Sequence, residues 1–174
     1  MKRILTFVFL FLTGFSLFGQ QLDKNNTNAK VKAVFIYNFT KYFEWPNNSK
    51  SSNFIITVIG DLPLYNELKQ MAIAKKAGNQ GFEIRTATTV EEAEKSHILF
   101  IGSNYSNLLG DATIKLKDKN ILIITEKQGL AKQGSAINFV VVNNKQKFEL
   151  NKKNAEKHGL SVSSSLEKLA IPIE

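Results

Sequence analysis

Residues 54–63 read FIITVIGDLP. Six residues, nearly all apolar or β-branched, run without alternation, which is how a strand covered on both faces is written, since neither face has to be polar. Gly60 and Asp61 then turn the chain. Asp61 is suited to cap a helix and Pro63 to sit in its first turn. That helix is expected to reach Ala77 with Leu64, Leu68 and Met71 inward, and to be closed by Gly78. A buried strand leading straight into a helix is half of a βαβ unit.

Outward from that stretch the unit repeats. Residues 82–87 suit a strand, Thr89 with Glu92 makes a capping-box start to a short helix, and 97–101 (HILFI) is a second buried strand. Residues 105–118 read as a helix through Leu108, Leu109, Ala112 and Leu116, weakened by Gly110, and 120–125 (NILIIT) as a further strand. The pattern then changes to AINFVVV (136–142), Asn143-Asn144 as a turn, and QKFEL (146–150), an antiparallel hairpin. Asn151 caps a helix ended by Gly159, residues 160–162 are extended, and Ser164 with Glu167 opens a closing helix carrying Leu166 and Leu169. The fold class that follows is α/β: a three-layer sandwich whose largely parallel sheet of about six strands carries a C-terminal antiparallel hairpin, with helices on both faces.

Upstream lies KAVFIYNFTKYFEWP (32–46), with six aromatics: Phe35, Tyr37, Phe39, Tyr42, Phe43 and Trp45. A helix from residue 28 or 29 to 44 places Val31, Phe35, Phe39 and Tyr42 or Phe43 on one stripe and leaves Lys30, Lys32, Asn38 and Lys41 off it. Pro46 ends it. A large ring removed from water contributes roughly 2 to 3 kcal/mol, so docking on the sheet is the main expectation. Six rings nevertheless overfill one stripe. Tyr37, Tyr42 and Trp45, with Asn38 and Lys41, are therefore the candidate partner- or ligand-binding residues. A membrane surface is disfavoured because the helix lacks a strongly basic face.

The chain has 174 residues and a formal net charge of +8. Lys2 and Arg3, the apolar run 4–18 and Gly19 have the layout of a secretory signal peptide (1–19), followed by a polar leader expected to be disordered (20–28) and one domain (29–174). Loss of Lys2 and Arg3 leaves +6, with basic residues scattered and no run of five, so no nucleic-acid partner is expected. The absence of cysteine excludes a lipid-anchored N-terminus and any disulfide framework.

Reactive groups are few. His97 opens a buried strand and is expected to be a hydrogen-bonded structural imidazole. His158, beside Gly159, is expected to be partly cationic at a helix C-terminus. Gly60-Asp61 lies where open α/β sheets bind ligands, but capping explains it as well. No spacing suggests a metal site, no cofactor motif is present, and no constellation of nucleophile and base points to an enzyme.

The blocks VKAVFIYNFTKYFEWP (31–46), HILFIG (97–102) and INFVVVNNKQKFELNKKNAEKHGLSVSSSLEKLA (137–170), with the signal peptide, resemble the YfiR family of exported bacterial proteins. The specific matches are Phe35, Tyr37, Asn38, Phe39, Lys41, Trp45 and Pro46, then Phe148, Glu149, Asn151, Ala155, Gly159, Leu160 and Leu169-Ala170; Asn151 joins the candidate binding residues on this ground. The resemblance implies a periplasmic repressor or modulator, not a catalyst, that binds the exported sensor domain of an inner-membrane diguanylate cyclase or histidine kinase. It also implies sequestration by an outer-membrane lipoprotein and a homodimer. The family's namesake uses disulfides, which this chain lacks, so redox control is not carried over. A periplasmic small-molecule binding protein, using the strand carboxyl edges or the cleft between the opening helix and the hairpin, is the alternative.

Overall fold

The computed structural model describes residues 24–46 and 53–173. The signal-peptide reading and most of the connection at 47–53 lie outside the described residues. The elements are α1 (Lys24–Tyr42), β1 (Phe43–Glu44), β2 (Asn53–Ile59), α2 (Leu62–Ala74), β3 (Lys76–Ala77), β4 (Gln80–Thr86), β5 (Ile98–Ile101), α3 (Leu109–Lys115), β6 (Leu122–Thr125), α4 (Leu130–Gln133), β7 (Ile137–Val142), β8 (Lys145–Leu150), α5 (Lys152–Lys157), β9 (Ser161–Val162), α6 (Ser164–Glu167) and β10 (Ile171–Pro172). Short 3₁₀ segments, Glu91–Ala93 and Ser103–Leu108, precede β5 and α3.

The main sheet has eight strands in the order β10-β8-β7-β6-β5-β2-β4-β3, and β1 pairs with β9 in a small antiparallel sheet. Five central strands, β4, β2, β5, β6 and β7, are mutually parallel. Antiparallel β3 and β8 flank them, and β10 runs parallel to β8 at the far edge. After β4 the chain crosses back over β2 to form β5, so the order reverses between β2 and β5.

Strand periodicity divides the interior into two cores. Phe54, Ile56 and Val58 of β2, Ile98 and Phe100 of β5, and Leu122 and Ile124 of β6 face the layer containing Ala33, Ile36 and Phe39 of α1 and Leu64 and Leu68 of α2. The alternate residues Ile59, Leu99, Ile101 and Ile123 face Leu109 and Ala112 of α3 and Leu130 of α4. The fold is thus an α/β three-layer sandwich. The continuous apolar runs in β2, β5 and β6 exist because both faces are covered.

At the reversal, two glycines lock the turns together. Gly60, at φ 77°, leaves no room for a Cβ, which would overlap the Tyr105 ring, and a Cβ on Gly102 would lie 2.8 Å from the Gly60 carbonyl oxygen. The Gly102 amide donates to Ile59 O at 2.8 Å, joining the carboxyl ends of β2 and β5.

Several local expectations are corrected. The sheet has eight strands where about six were expected, because the two-residue strands at its edges are too short to leave a periodic pattern. α2 stops at Ala74, and Gly78 serves instead in the turn of the β3–β4 hairpin. The segment after Glu91 closes as a single 3₁₀ turn, with Glu92 Oε2 accepting from the amides of Thr88 at 2.8 Å and Thr89 at 3.5 Å. Residues 103–108 are 3₁₀ and only 109–115 α-helical. Ser163, one residue before the expected cap, accepts from Leu166 N. α1 begins at Lys24, inside the stretch read as a leader, since extending a docked helix costs little once its nucleus is held.

Candidate functional site

The phase of α1 differs from expectation, and the difference builds the most unusual feature of the molecule. The buried stripe is Ala29, Lys32, Ala33, Ile36, Phe39 and, beyond the helix, Phe43, while Val31 and Val34 are 36% and 55% exposed. Lys32, expected off the apolar stripe, is 7% exposed. Its Nζ lies 2.5 Å from Asp61 Oδ2 and 2.7 Å from Glu126 Oε2, and 5.2 Å from the centroid of the Phe100 ring. The two carboxylates arrive from the carboxyl ends of β2 and β6. Asp61 also caps α2 through Oδ1 to Leu64 N at 2.9 Å, and Glu126 Oε1 accepts from Ser103 N at 3.1 Å. One ammonium between two carboxylates therefore ties α1 to three loops at the edge where the strand order reverses, the position at which open α/β sheets place ligands.

Beside this triad opens a cleft of about 530 Å³ between the N-terminal half of α1 and the β7–β8 hairpin, lined by Asn28, Lys32, Glu126, Phe139, Gln146 and Glu149 among others. A buried polar chain crosses the neighbouring strands. Thr125 Oγ1 is 2.8 Å from both Ser135 Oγ and Asn138 Oδ1, and Asn138 Nδ2 donates to Glu149 Oε2 at 2.8 Å. The hairpin wall is thereby held in register with β6. The cleft combines carboxylates and amides with the apolar sides of Phe139, Val140 and Ile171.

The residues singled out in sequence lie elsewhere. Tyr37 is half-buried, its ring edge-on to Phe82 at 6.2 Å, with Lys41 Nζ 4.2 Å and Lys75 Nζ 5.8 Å from its centroid. Asn38 is half-buried on the same helix and Lys41 exposed, and Tyr42 packs against the core margin. Trp45 stands edge-on to Phe54 at 5.0 Å and donates its indole N–H to His97 O at 3.2 Å, at the start of β5. These five cluster toward the end of the sheet opposite the triad. Asn151 is apart from them and 5% exposed; its Oδ1 caps α5 at Asn154 N and its Nδ2 donates to Ala131 O. Asp61 had a visible signal in its position after β2. Lys32 and Glu126 had none, because their meeting depends on contacts 29 and 94 residues apart in sequence.

Both histidines are structural in placement. His97 stacks on Phe54 at 4.4 Å, and its Nδ1 accepts from Ile55 N at 3.0 Å. His158 is 4% exposed, with Nδ1 3.2 Å from Leu116 O. Burial holds its imidazole below the ordinary value of 6.5, outweighing the Leu116 carbonyl and Asp118, which act the other way. The expectation of a partly cationic ring is thus overturned: the dipole of the six-residue α5 does not offset desolvation.

The sign of the resulting pH effect follows directly. Above pH 6.5 the ring is neutral in both states. As pH falls through 6.5 the unfolded chain takes its proton first, so stability declines until the lower folded value is passed. The slope from this group cannot exceed about 1.4 kcal/mol per pH unit. Urea unfolding between pH 7 and 5 should therefore show a shallower decline for His158→Gln than for the parent chain.

Among the described residues no group of three or more His, Asp or Glu is placed to hold a metal ion, and no helix is long and apolar enough to cross a membrane. A family model described as YfiR/HmsC-like matches residues 29–171. No curated protein matches the chain. Among solved structures, the chain is similar to the ABC domain in complex with L-Trp from Streptococcus pneumonia, at 11% identity and a TM-score of 0.49, covering 84% of this chain and 60% of that one.

Proposed function

Because the chain belongs to the YfiR/HmsC-like family, we propose that it is a periplasmic regulator, without catalysis of its own, that binds the exported sensor domain of a membrane signalling protein and sets its output. The observation that carries this reading is the extent of the match, which runs from the buried stripe of α1 to the first residue of β10 and so takes in nearly the whole described sheet. The output proposed is cyclic-di-GMP synthesis by a diguanylate cyclase, or phosphotransfer by a histidine kinase in the same arrangement. A binder that prefers one state of the sensor shifts its equilibrium by the difference in affinity, and a competitor such as an outer-membrane lipoprotein reverses the shift.

The proposed contact surface is the half of α1 bearing Tyr37, Asn38, Lys41 and Tyr42, continued by Trp45, with Asn151 contributing through the placement of α5. In pull-downs with the sensor encoded beside it, the double substitution Lys41→Ala and Tyr42→Ala should weaken the complex about tenfold or more, as loss of a central aromatic and a charged neighbour does. Its unfolding midpoint should fall only by the modest amount that truncating a half-buried ring costs, with the fold retained. Unchanged sensor output on deletion of the protein, with no complex recovered, would refute the reading.

A second reading is supported by the 530 Å³ cleft beside Lys32, whose volume and mixed lining suit a small molecule. Carboxylates of Glu126 and Glu149 with an apolar wall favour a ligand carrying an amine and a hydrophobic body. A thermal-shift screen of amino acids and amines, with no stabilisation by any of them, would dismiss it.

A further inference from the structure

We propose that the recess between α3, α4 and α5, at the end of the sheet opposite the Lys32 cleft, is a binding site for a small phosphate-bearing anion. It rests on neither reading given above. The recess has a volume of about 260 Å³ and is lined by Thr113, Lys117, Lys132, Gln133, Gly134, Asn154, Lys157 and His158. Three ammonium groups from three different segments share it, and no carboxylate lines it. Its deepest residues are fixed: Asn154 and His158 are 6% and 4% exposed, and Asn154 Nδ2 donates to Ala131 O at 2.9 Å and Ser135 O at 3.1 Å. This is a shaped hollow with a rigid polar floor, not a flat basic surface.

The pairing of neighbouring lysines gives the contrast. Lys115 lies 2.6 Å from Glu91 and 3.2 Å from Asp111, Lys119 3.5 Å from Glu94, and Lys152 2.8 Å from Glu167. Lys117, Lys132 and Lys157 have no ion pair among the described residues, and the one polar contact of the three is Lys157 Nζ to Asn154 Oδ1 at 3.4 Å. The carboxylate that acts on the His158 ring, Asp118, is not in the lining. Like charges gathered around one hollow repel, and an anion seated among them turns that repulsion into attraction. Ammonium groups on flexible stems bind phosphate as point charges, and the Gln133 carboxamide N–H is a neutral donor for its oxygens, the Thr113 hydroxyl being turned to Gly110 O and the Gly134 amide to Leu130 O. The volume is below the usual range for whole drug-sized ligands, which fits a phosphate with a small substituent.

The test is a ¹⁵N NMR titration of the full chain with inorganic phosphate and with glycerol 3-phosphate at low salt, with sodium chloride as the ionic-strength control. Saturable shifts are expected at the amides of Thr113, Gly134, Asn154 and His158. Lys132→Ala with Lys157→Ala should weaken binding roughly tenfold or more, the loss expected for two charge-assisted contacts. The paired control, Lys119→Ala with Lys152→Ala, should leave it within about twofold. All four side chains are exposed, so these variants keep the fold. The proposal is overturned if no shift saturates, if the control variant weakens binding as much, or if the chain binds anionic phospholipid vesicles while ignoring both free phosphates.

Discussion

Lys32→Met is expected to lower the unfolding free energy by about 3 to 5 kcal/mol, measured by urea denaturation at neutral pH. Asp61 and Glu126 are brought together around the Lys32 ammonium, and their side chains are 11% and 21% exposed. Without the cation they remain as two neighbouring carboxylates with little water to solvate them. The methionine fills the same channel beside Phe100, so lost packing contributes little. Combining Lys32→Met with Asp61→Asn and Glu126→Gln should recover much of the loss, because removing all the charges is far cheaper than orphaning two of them. If the single and triple variants were equally unstable, the cost would belong to packing and the electrostatic account would fail. Local hydrogen exchange adds a second readout. Protection should be lost first in α1 and at the amides of Leu64 and Ser103, which bond to the same two carboxylates.

Phe39→Ala is the other large effect, at about 3 to 5 kcal/mol of stability. Phe39 is wholly buried and meets four rings: Phe35 at 6.3 Å, Phe43 at 6.3 Å, Phe139 at 6.1 Å and Phe148 at 5.1 Å between centroids. Phe139 and Phe148 are cross-strand partners on β7 and β8, so this single ring pins the opening helix to the hairpin. Deleting it leaves a void that the facing rings cannot fill without abandoning their contacts with Phe35 and Phe100. Tyr37→Ala, by contrast, removes a half-buried ring stacked under exposed Lys41 and should cost well under half as much. The ratio of the two losses, taken from denaturation midpoints at a common slope, separates the part of the aromatic stretch that builds the core from the part open to a partner.

The sequence was most legible where local chemistry and tertiary role agree. β2, β5 and β6 announce themselves because burial on two faces demands unbroken apolar runs, and Asn143-Asn144 because a two-residue hairpin needs positive φ at both positions, here 51° and 58°. Asp61 could be read as a cap from its place before Pro63. The phase of α1 could not be read, because a periodicity argument assigns lysine to water. Lys32 is buried only by virtue of carboxylates supplied 29 and 94 residues away. His158 was misjudged for a related reason, since the helix dipole is a local property and burial beneath the Leu116 carbonyl is not. The candidate residues of α1 were found by counting rings, and none of them lines the cleft between that helix and the hairpin, which the sequence suggested only as an alternative ligand site.

The two ends of the main sheet carry a consequence for how the protein behaves in a crowded compartment without disulfides. An eight-stranded sheet with long free edges would be a template for other chains to pair with. Here one boundary is β3, two residues long, and the other is β10, two residues long and closed by Pro172, which has no amide hydrogen to offer a neighbour. The longest and most apolar strands lie inside this pair of short margins. Each margin pairs with only two residues of its neighbour, Gln80 and Gly81 of β4 or Glu149 and Leu150 of β8, so residues 82–86 and 145–148 take no strand pairing on their outer side among the described residues. The charges of Glu83, Arg85, Lys145 and Lys147 are what guard those reaches, and replacing them with apolar residues should make the chain self-associate.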